Sequence, residues 1–453
     1  MNPDEVVDLT SLFPRNFGQR YIEVERGEGL YLFGKDGRAY LDAAAGAISA
    51  NIGYGVEEIA ASIHEQTSKL PFAHASYWAA EINERAASLV AELAPEGMHW
   101  VWFVNSGSEA MEAAIKMARQ YFVEKEGKGS SRSLVIGRQN GYHGSTLGTL
   151  AIGGSVVRRR HFLPMLNDQP KIETHYCYRC PYGLDRPSCG IRCATELEKT
   201  IRRIGPQYVA AFVAEPIVGS TVGALVPPDE YWPIVREICS RYDVLLIADE
   251  VMTGCGRTGK NFCVDHWGVK PDLIGTAKGL AASYYPVGAV IVSDRVAETF
   301  RKGSGVFAHS HTFNGMPAAS AAVVAVLEYM KKHGLVENAA RMGKLIETEL
   351  APRLQESPFV GEVRGKGLMW GIELVRDKET KAPFDASMDA GGKLKALALE
   401  RGMTLYPGKA MADGVNGDNV MIGPPLTAGE KDVRKIFEIL TDSLQSLQKQ
   451  LKF

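Results

Sequence analysis

Nowhere in the 453 residues does an apolar run approach the length that spans a bilayer, so no membrane-embedded helix is expected. A basic surplus is missing too, since 51 Lys and Arg stand against 53 Asp and Glu, a formal net charge of -2. Nucleic acid and anionic membrane surfaces ordinarily demand a clear cationic excess, and neither is an expected partner. The opening residues MNPDEVVDLTSLFPR carry acids where a secretory leader has Lys or Arg before an apolar stretch. Cysteines number seven, an odd count that does not form a short disulfide-dense scaffold. Both features lead us to expect a cytoplasmic protein. No G-x-G-x-x-G follows a first strand, which removes the usual dinucleotide signature. Internal repeats, low-complexity tracts and long linkers are also missing.

Hydrophobic residues make up 45% of the chain and charged residues 23%, the balance of a soluble globular protein. The length calls for one large domain and a smaller one. Strands are predicted at Trp100 to Val104, Leu134 to Gly137, Val209 to Ala214, Val244 to Ala248, Leu273 to Thr276 and Val287 to Val292. Most are continuous β-branched or aliphatic runs, the pattern of strands buried on both faces of a largely parallel sheet. Between them lie helical stripes, one of Ala110, Ala113, Ala114, Met117, Ala118 and Tyr121, another of Tyr231, Ile234, Val235, Ile238 and Tyr242. The alternation predicts an α/β domain over residues 76–330.

The C-terminal part reads differently. After a helical stretch from Pro317, Gly371 to Val375 and Val420 to Ile422 are predicted as strands and Lys393 to Arg401 as a helix. A last helix is predicted to begin at Thr427, with Glu430 placed for a reciprocal capping box. Its stripe of Val433, Ile436, Phe437, Leu440, Leu444 and Leu447 faces a core. Residues 331–453 are expected to form a smaller α+β domain. Segment 1–75 joins it through strands around Tyr21 to Val24, Leu30 to Phe33 and Tyr40 to Asp42.

Three features of the α/β part bear chemistry. Val104-Asn105-Ser106-Gly107-Ser108-Glu109-Ala110 stands where a strand ends and a helix begins, and free N–H groups with the helix dipole make such a junction a phosphate site. Taken alone, it reads sooner as a helix cap. Asp249 ends the run Val244 to Ala248, where ligands of open α/β sheets bind. A buried carboxylate there needs a partner, and a protonated ring nitrogen, a helix cap or a metal would each serve. Lys278 follows the apolar run Leu273 to Ala277. Desolvation lowers the pKa of such an amine and lets it condense with an aldehyde, although a lysine at a strand mouth can also snorkel to solvent. Phosphate cradle, acid and lysine at successive strand ends together meet the requirements of pyridoxal 5'-phosphate.

As an ordered set these segments resemble the class III (ω-type) aminotransferases of the fold-type I pyridoxal phosphate enzymes, from about Tyr21 to about Leu444. The resemblance implies a large, mostly parallel sheet with helices on both faces, plus a smaller domain built from both termini. In NSGSEAMEAAIKMAR it gives the phosphate to Ser106, Gly107 and Ser108. In GYHGST it lays Tyr142 over the cofactor ring with His143 beside it, and in AEPIVG it puts Glu215 near the substrate. ADEVMTGCGRTG carries Asp249 to the pyridine nitrogen and Val251 to the opposite ring face. TAKGL gives the Schiff-base role to Lys278. SHTFNGMP resembles the segment that crosses the dimer interface, so Thr312 would bind the phosphate of a neighbouring subunit's cofactor. A homodimer, or a dimer of dimers, is implied.

The implied reaction moves an amino group from an ω-amino acid or primary amine to a small keto acid, pyruvate foremost, by a ping-pong route. Other pyridoxal phosphate reactions share the fold, among them a phospho-amine lyase, racemase, mutase or decarboxylase. Departures from the family pattern shape the substrate expectation. Val218 stands where Gln often follows the Glu-Pro pair. Met421 in NVMIGPPL stands where members that bind an α-carboxylate often carry Arg, which would leave Glu215 without its usual partner and give the pocket an apolar wall. Asn51 to Gly55 resembles the ω-amino acid:pyruvate branch, with Tyr21, Tyr77 and Trp78 as aromatic walls. The segment HYCYRCPYGLDRPSCGIRC has no counterpart in the common pattern. Its His175, Cys177, Cys180, Cys189 and Cys193 have zinc-ligand spacing, and they suit equally the small core residues of an inserted loop.

Overall fold

A computed structural model of the chain describes residues 6–7, 11–19 and 21–451. Part of the opening segment read above for a leader therefore lies outside the described residues. Seven strands form the main sheet: β1 (Trp100–Val104), β2 (Leu134–Arg138), β3 (Lys171–Ile172), β4 (Val209–Ala214), β5 (Leu245–Asp249), β6 (Leu273–Thr276) and β7 (Gly288–Val292). Their order is β1-β7-β6-β5-β4-β2-β3. Neighbours pair in parallel from β6 across to β3, and β7 alone runs antiparallel to both of its neighbours. An apolar run does not encode strand direction. The connection does, because residues 277–287 are too few for the helical crossover that a parallel return requires.

Both faces of this sheet are covered, as the uninterrupted apolar runs require. Side chains alternate along a strand, so Leu245 and Ile247 of β5 pack into one core and Leu246 into another. The first core includes α1 (Gly107–Glu126), which buries Ala110, Ala113, Ala114, Met117, Ala118 and Tyr121. The second includes Leu197 and Ile201 of α2 (Arg192–Ile204) and Tyr231, Val235 and Ile238 of α3 (Tyr231–Arg241). Full burial of an aliphatic side chain contributes about 1.5–3 kcal/mol, so these two layers hold the strand ends in fixed relation.

Outside the main sheet, Val360–Lys366, Met369–Asp377, Asp418–Ile422 and Tyr406–Lys409 form an antiparallel sheet. The predicted strands at 371–375 and 420–422 fall inside it, and the predicted helix appears as Ala390–Glu400. The N-terminal strands join the C-terminal part by one specific pairing, with Ala39–Asp42 running parallel to Met403–Thr404. The last helix, α4 (Glu430–Leu451), begins later than its sequence pattern indicated. The hydroxyl of Thr427 is buried without a partner instead of capping, and Asp432 accepts from the Gly429 N–H at 3.0 Å. Among the described residues no helix is long and apolar enough to cross a membrane.

Candidate active site

Because β1, β4, β5 and β6 point the same way, their C-terminal ends open on one edge of the sheet. Ser106, Glu215, Asp249 and Lys278 follow or end those strands, and all four line one cavity of about 470 Å³. Gly107, Ser108, Tyr142, His143 and Val251 line it as well. Nine of the ten residues assigned from the sequence to the cofactor and its chemistry thus meet in one place. Thr312 is exposed and lies outside the cavity wall of the single chain.

At the first strand end Ser106 caps α1, its hydroxyl accepting from the Glu109 N–H at 3.2 Å. Glu109 in turn accepts from the Asn105 N–H at 2.7 Å, which places an acid in the first turn. The cap and phosphate-site readings are both satisfied here. Capping consumes the Glu109 N–H, while the N–H groups of Gly107 and Ser108 have no partner among the described residues. A Cβ on Gly107 would lie 2.7 Å from Cγ1 of Val251, so only glycine lets these two walls approach. Gly144 is tighter still. Its φ is +139°, and a Cβ would lie 2.7 Å from the hydroxyls of both Ser108 and Thr149.

Asp249 is buried, with one partner on each carboxylate oxygen. One carboxylate oxygen accepts from the Val251 N–H at 3.1 Å, and the other lies 2.7 Å from Nδ1 of buried His143. Beyond this pair, Nε2 of His143 and Oε2 of Glu215 are both buried without a hydrogen-bond partner. Burial pushes the Glu215 carboxyl up, against the opposing pull of His143 and Arg138. Glu215 does not lack a guanidinium, contrary to the reading from Met421. Fully buried Arg138 lies 3.8 Å from its Oε2 and donates to its main-chain carbonyl at 2.5 Å. Arg138 also contacts Nδ1 of His175 at 2.9 Å, and burial drives that imidazole toward its neutral form.

Lys278 stands two residues beyond β6 with a φ of +45°, a strained left-handed conformation that costs on the order of 1–3 kcal/mol. Its amine opens on the cavity. Desolvation is the larger influence and lowers its pKa to about 8, the negative charge of Asp249 working the other way.

Several residues expected at the site stand elsewhere. Met421 is fully buried with Ile48, Ile217 and Met369, a layer behind the cavity wall that Ile217 and Met252 form. Val218 turns into a separate apolar cluster with Tyr176, Val222 and Leu225. Tyr77 and Trp78 are 82% and 70% exposed and, like Tyr21, do not line the cavity of this chain. Lys409 and Arg401, cations that could have stood in for an arginine at position 421 but were expected on a solvated face, do not line the cavity: Lys409 pairs with Asp389 at 2.7 Å on an exposed face, and Arg401 bonds to Leu397 and Ser446. His175, which contacts Arg138, borders a small separate cavity together with Cys177, Cys180, Cys189 and Cys193, all four free thiols. Among the described residues no three His, Cys, Asp or Glu side chains are grouped to hold a metal ion. The sequence reading did not single out Ile217, Ser220, Met252 or Tyr285, which complete the walls. Nor did it find Arg158, whose guanidinium lies 4.1 Å over the Tyr142 ring. No local pattern marks these residues, because folding alone brings the four to the cavity and Arg158 against Tyr142 and Ser220 of its wall.

Comparison with known proteins identifies the family and the fold. The model of the family "Aminotransferase class-III" matches residues 12–444. An uncharacterized aminotransferase of Bacillus subtilis, YodT, is 39% identical over 432 residues, covering 95% of this chain and 97% of its own. A putrescine–pyruvate aminotransferase of Pseudomonas aeruginosa is 35% identical over 426 residues, 92% of this chain and 88% of its own. The ω-transaminase of Pseudomonas jessenii, solved in complex with PMP, superposes with a TM-score of 0.89 at 33% identity, covering 97% of both chains. The fold is therefore that of the fold-type I transaminases, and the chain belongs to the class III aminotransferases, a pyridoxal phosphate-dependent family.

Proposed function

We propose that this protein transfers an amino group from an ω-amino acid or primary amine to a small keto acid, pyruvate foremost, by a ping-pong route on pyridoxal 5'-phosphate. The observation that carries the reading is Lys278, an amine with a pKa of about 8, opening on the same cavity as the buried Asp249–His143 pair. The residues present fit the cofactor. The free N–H groups of Gly107 and Ser108 suit its phosphate, buried Asp249 suits its protonated ring nitrogen, and Tyr142 and Val251 offer flanking walls. When bound, the cofactor supplies an electron sink for the carbon that bears the amino group.

The chain's own groups supply the rest. Lys278 holds and moves a proton at the reacting carbon, since an amine with a pKa near neutrality both accepts and donates at comparable cost. Asp249 would hold the ring nitrogen, and His143 fixes the carboxylate's orientation. Ile217 and Met252 make an apolar wall suited to an unbranched donor chain. Thr312, exposed beside equally exposed Phe313, supports a homodimer in which this segment reaches the partner's phosphate site. The free state of all seven cysteines supports a cytoplasmic setting. With this goes a division into a large cofactor-binding domain over residues 76–330 and a smaller one from 1–75 and 331–453.

Addition of donor alone to the loaded protein tests the reading. The pyridoxamine form should accumulate, and subsequent pyruvate should restore the starting spectrum. A donor that is decarboxylated, racemised or cleaved with no pyridoxamine formed would assign a sister reaction. Pyruvate should exceed 2-oxoglutarate in kcat/KM, since Lys409 and Arg401 are engaged away from the cavity and provide no clamp for a second carboxylate.

A further inference from the structure

We infer that Arg158 is the carboxylate anchor of the active site, a specificity-determining residue that selects keto acids and carboxylate-bearing donors over their uncharged analogues. This rests on the transaminase reading above and adds the identity of the group that is recognised. Arg158 belongs to a run of three arginines, which is ordinarily a solvated face, but the three diverge. Arg159 turns inward, donating to the Leu150 carbonyl at 2.9 Å and pairing with Asp168, while Arg160 is exposed. Arg158 is half-buried and points to neither place. Its guanidinium lies 4.1 Å over the ring of Tyr142, and one Nη donates to Oγ of Ser220 at 3.1 Å. Both contact residues line the cavity, and Arg158 stands against them next to its wall.

Among the described residues no carboxylate pairs with Arg158 and no further group accepts from its remaining N–H groups. A half-buried cation without a counter-ion is costly, and a planar fork fixed on one side by an aromatic face and a hydroxyl matches a carboxylate in two-point contact. The charge is also felt in the reaction centre, where Arg158 is among the groups that lower the Lys278 pKa. The anion site at the start of α1 is built from other residues, Ser106 to Ser108. One anchor accommodates one carboxylate, which agrees with a monocarboxylate acceptor.

The test compares the loaded wild type with Arg158→Ala and Arg158→Lys, using pyruvate and propanal as acceptors of equal chain length. The ratio of kcat/KM for acid over aldehyde should fall about 100-fold in Arg158→Ala and about 10-fold in Arg158→Lys, the loss of charged hydrogen bonds. Calorimetric titration with propanoate, which needs no turnover, should show binding to the wild type and its loss in Arg158→Ala. An equal fall with both acceptors would make Arg158 a support for Tyr142 only and overturn the anchor. So would an unchanged ratio with propanoate binding retained, or weaker cofactor binding with no change in the ratio, which would assign the guanidinium to the phosphate. If the wild type transaminates neither acceptor, the proposed reaction fails, while propanoate binding lost in Arg158→Ala would still support the anchor.

Discussion

Nδ1 of His143 lies 2.7 Å from Oδ2 of Asp249, and both side chains are buried. The pairing leaves Nε2 of His143 without a partner and fixes the acid at a strand end where it faces the cavity. Two residues 106 apart in the chain thereby become one electrostatic unit. Its strength comes from burial, since a charge shielded from water acts at lower effective dielectric.

Asp249→Asn should retain cofactor but lose about 100-fold or more in kcat, because an amide cannot hold a cationic ring nitrogen. His143→Asn should lose less, about 10-fold, since it removes orientation and leaves the charge. Single-turnover kinetics with spectrophotometric measurement of bound cofactor separates the two effects. An Asp249→Asn enzyme within a few-fold of wild type would remove the acid from the mechanism.

Lys278→Ala should lose at least about 1000-fold in turnover, the contribution of a positioned acid–base group. The visible band of the loaded protein should change with it, and retention of both band and activity would move the role to another amine. The pH dependence has a definite sign. The pKa is lowered from the usual lysine value to about 8, so the reactive neutral amine is scarce below pH 8 and predominant above it. Cofactor attachment to the apoprotein should therefore accelerate with rising pH, reach half its limit near pH 8 and level off above it. A rate still climbing through pH 10 would show an ordinary, solvated lysine.

Gly144→Ala should weaken cofactor binding more than Gly107→Ala. At Gly144 the added methyl meets two hydroxyls at 2.7 Å and the backbone of Ser108 at 2.9 Å, in a φ region unfavourable to any side chain. At Gly107 it meets only the side chain of Val251, which can rotate. Equilibrium dialysis of both variants would read the order. The reverse order would place the phosphate away from the start of α1.

Thr312→Ala should raise the dissociation constant for the cofactor in the assembled enzyme while leaving the dimer intact, the loss of one charged hydrogen bond costing about 1.5–3 kcal/mol. Sedimentation of the wild type should show a dimer or a dimer of dimers and no active monomer. An active monomer, or a Thr312→Ala dimer with unchanged affinity, would disconnect this segment from the site.

Much of this arrangement was determined locally. Buried parallel strands are short apolar runs, so Val209–Ala214 and Leu273–Thr276 declare themselves, and a lone acid or lysine at the end of such a run stands at a sheet edge. Asp249, Lys278 and the Ser106–Ser108 turn were legible for that reason, and the ordered motifs assigned the family. Tertiary structure decided the partners. Arg138 reaches Glu215 across 77 residues, Arg158 reaches Ser220 across 62, and Met421 is withdrawn behind Ile217. It also decided that α4 starts at Glu430. Periodicity reports only which face of an element is apolar. Which charged side chains meet depends on how those faces pack, and that is a property of the whole chain.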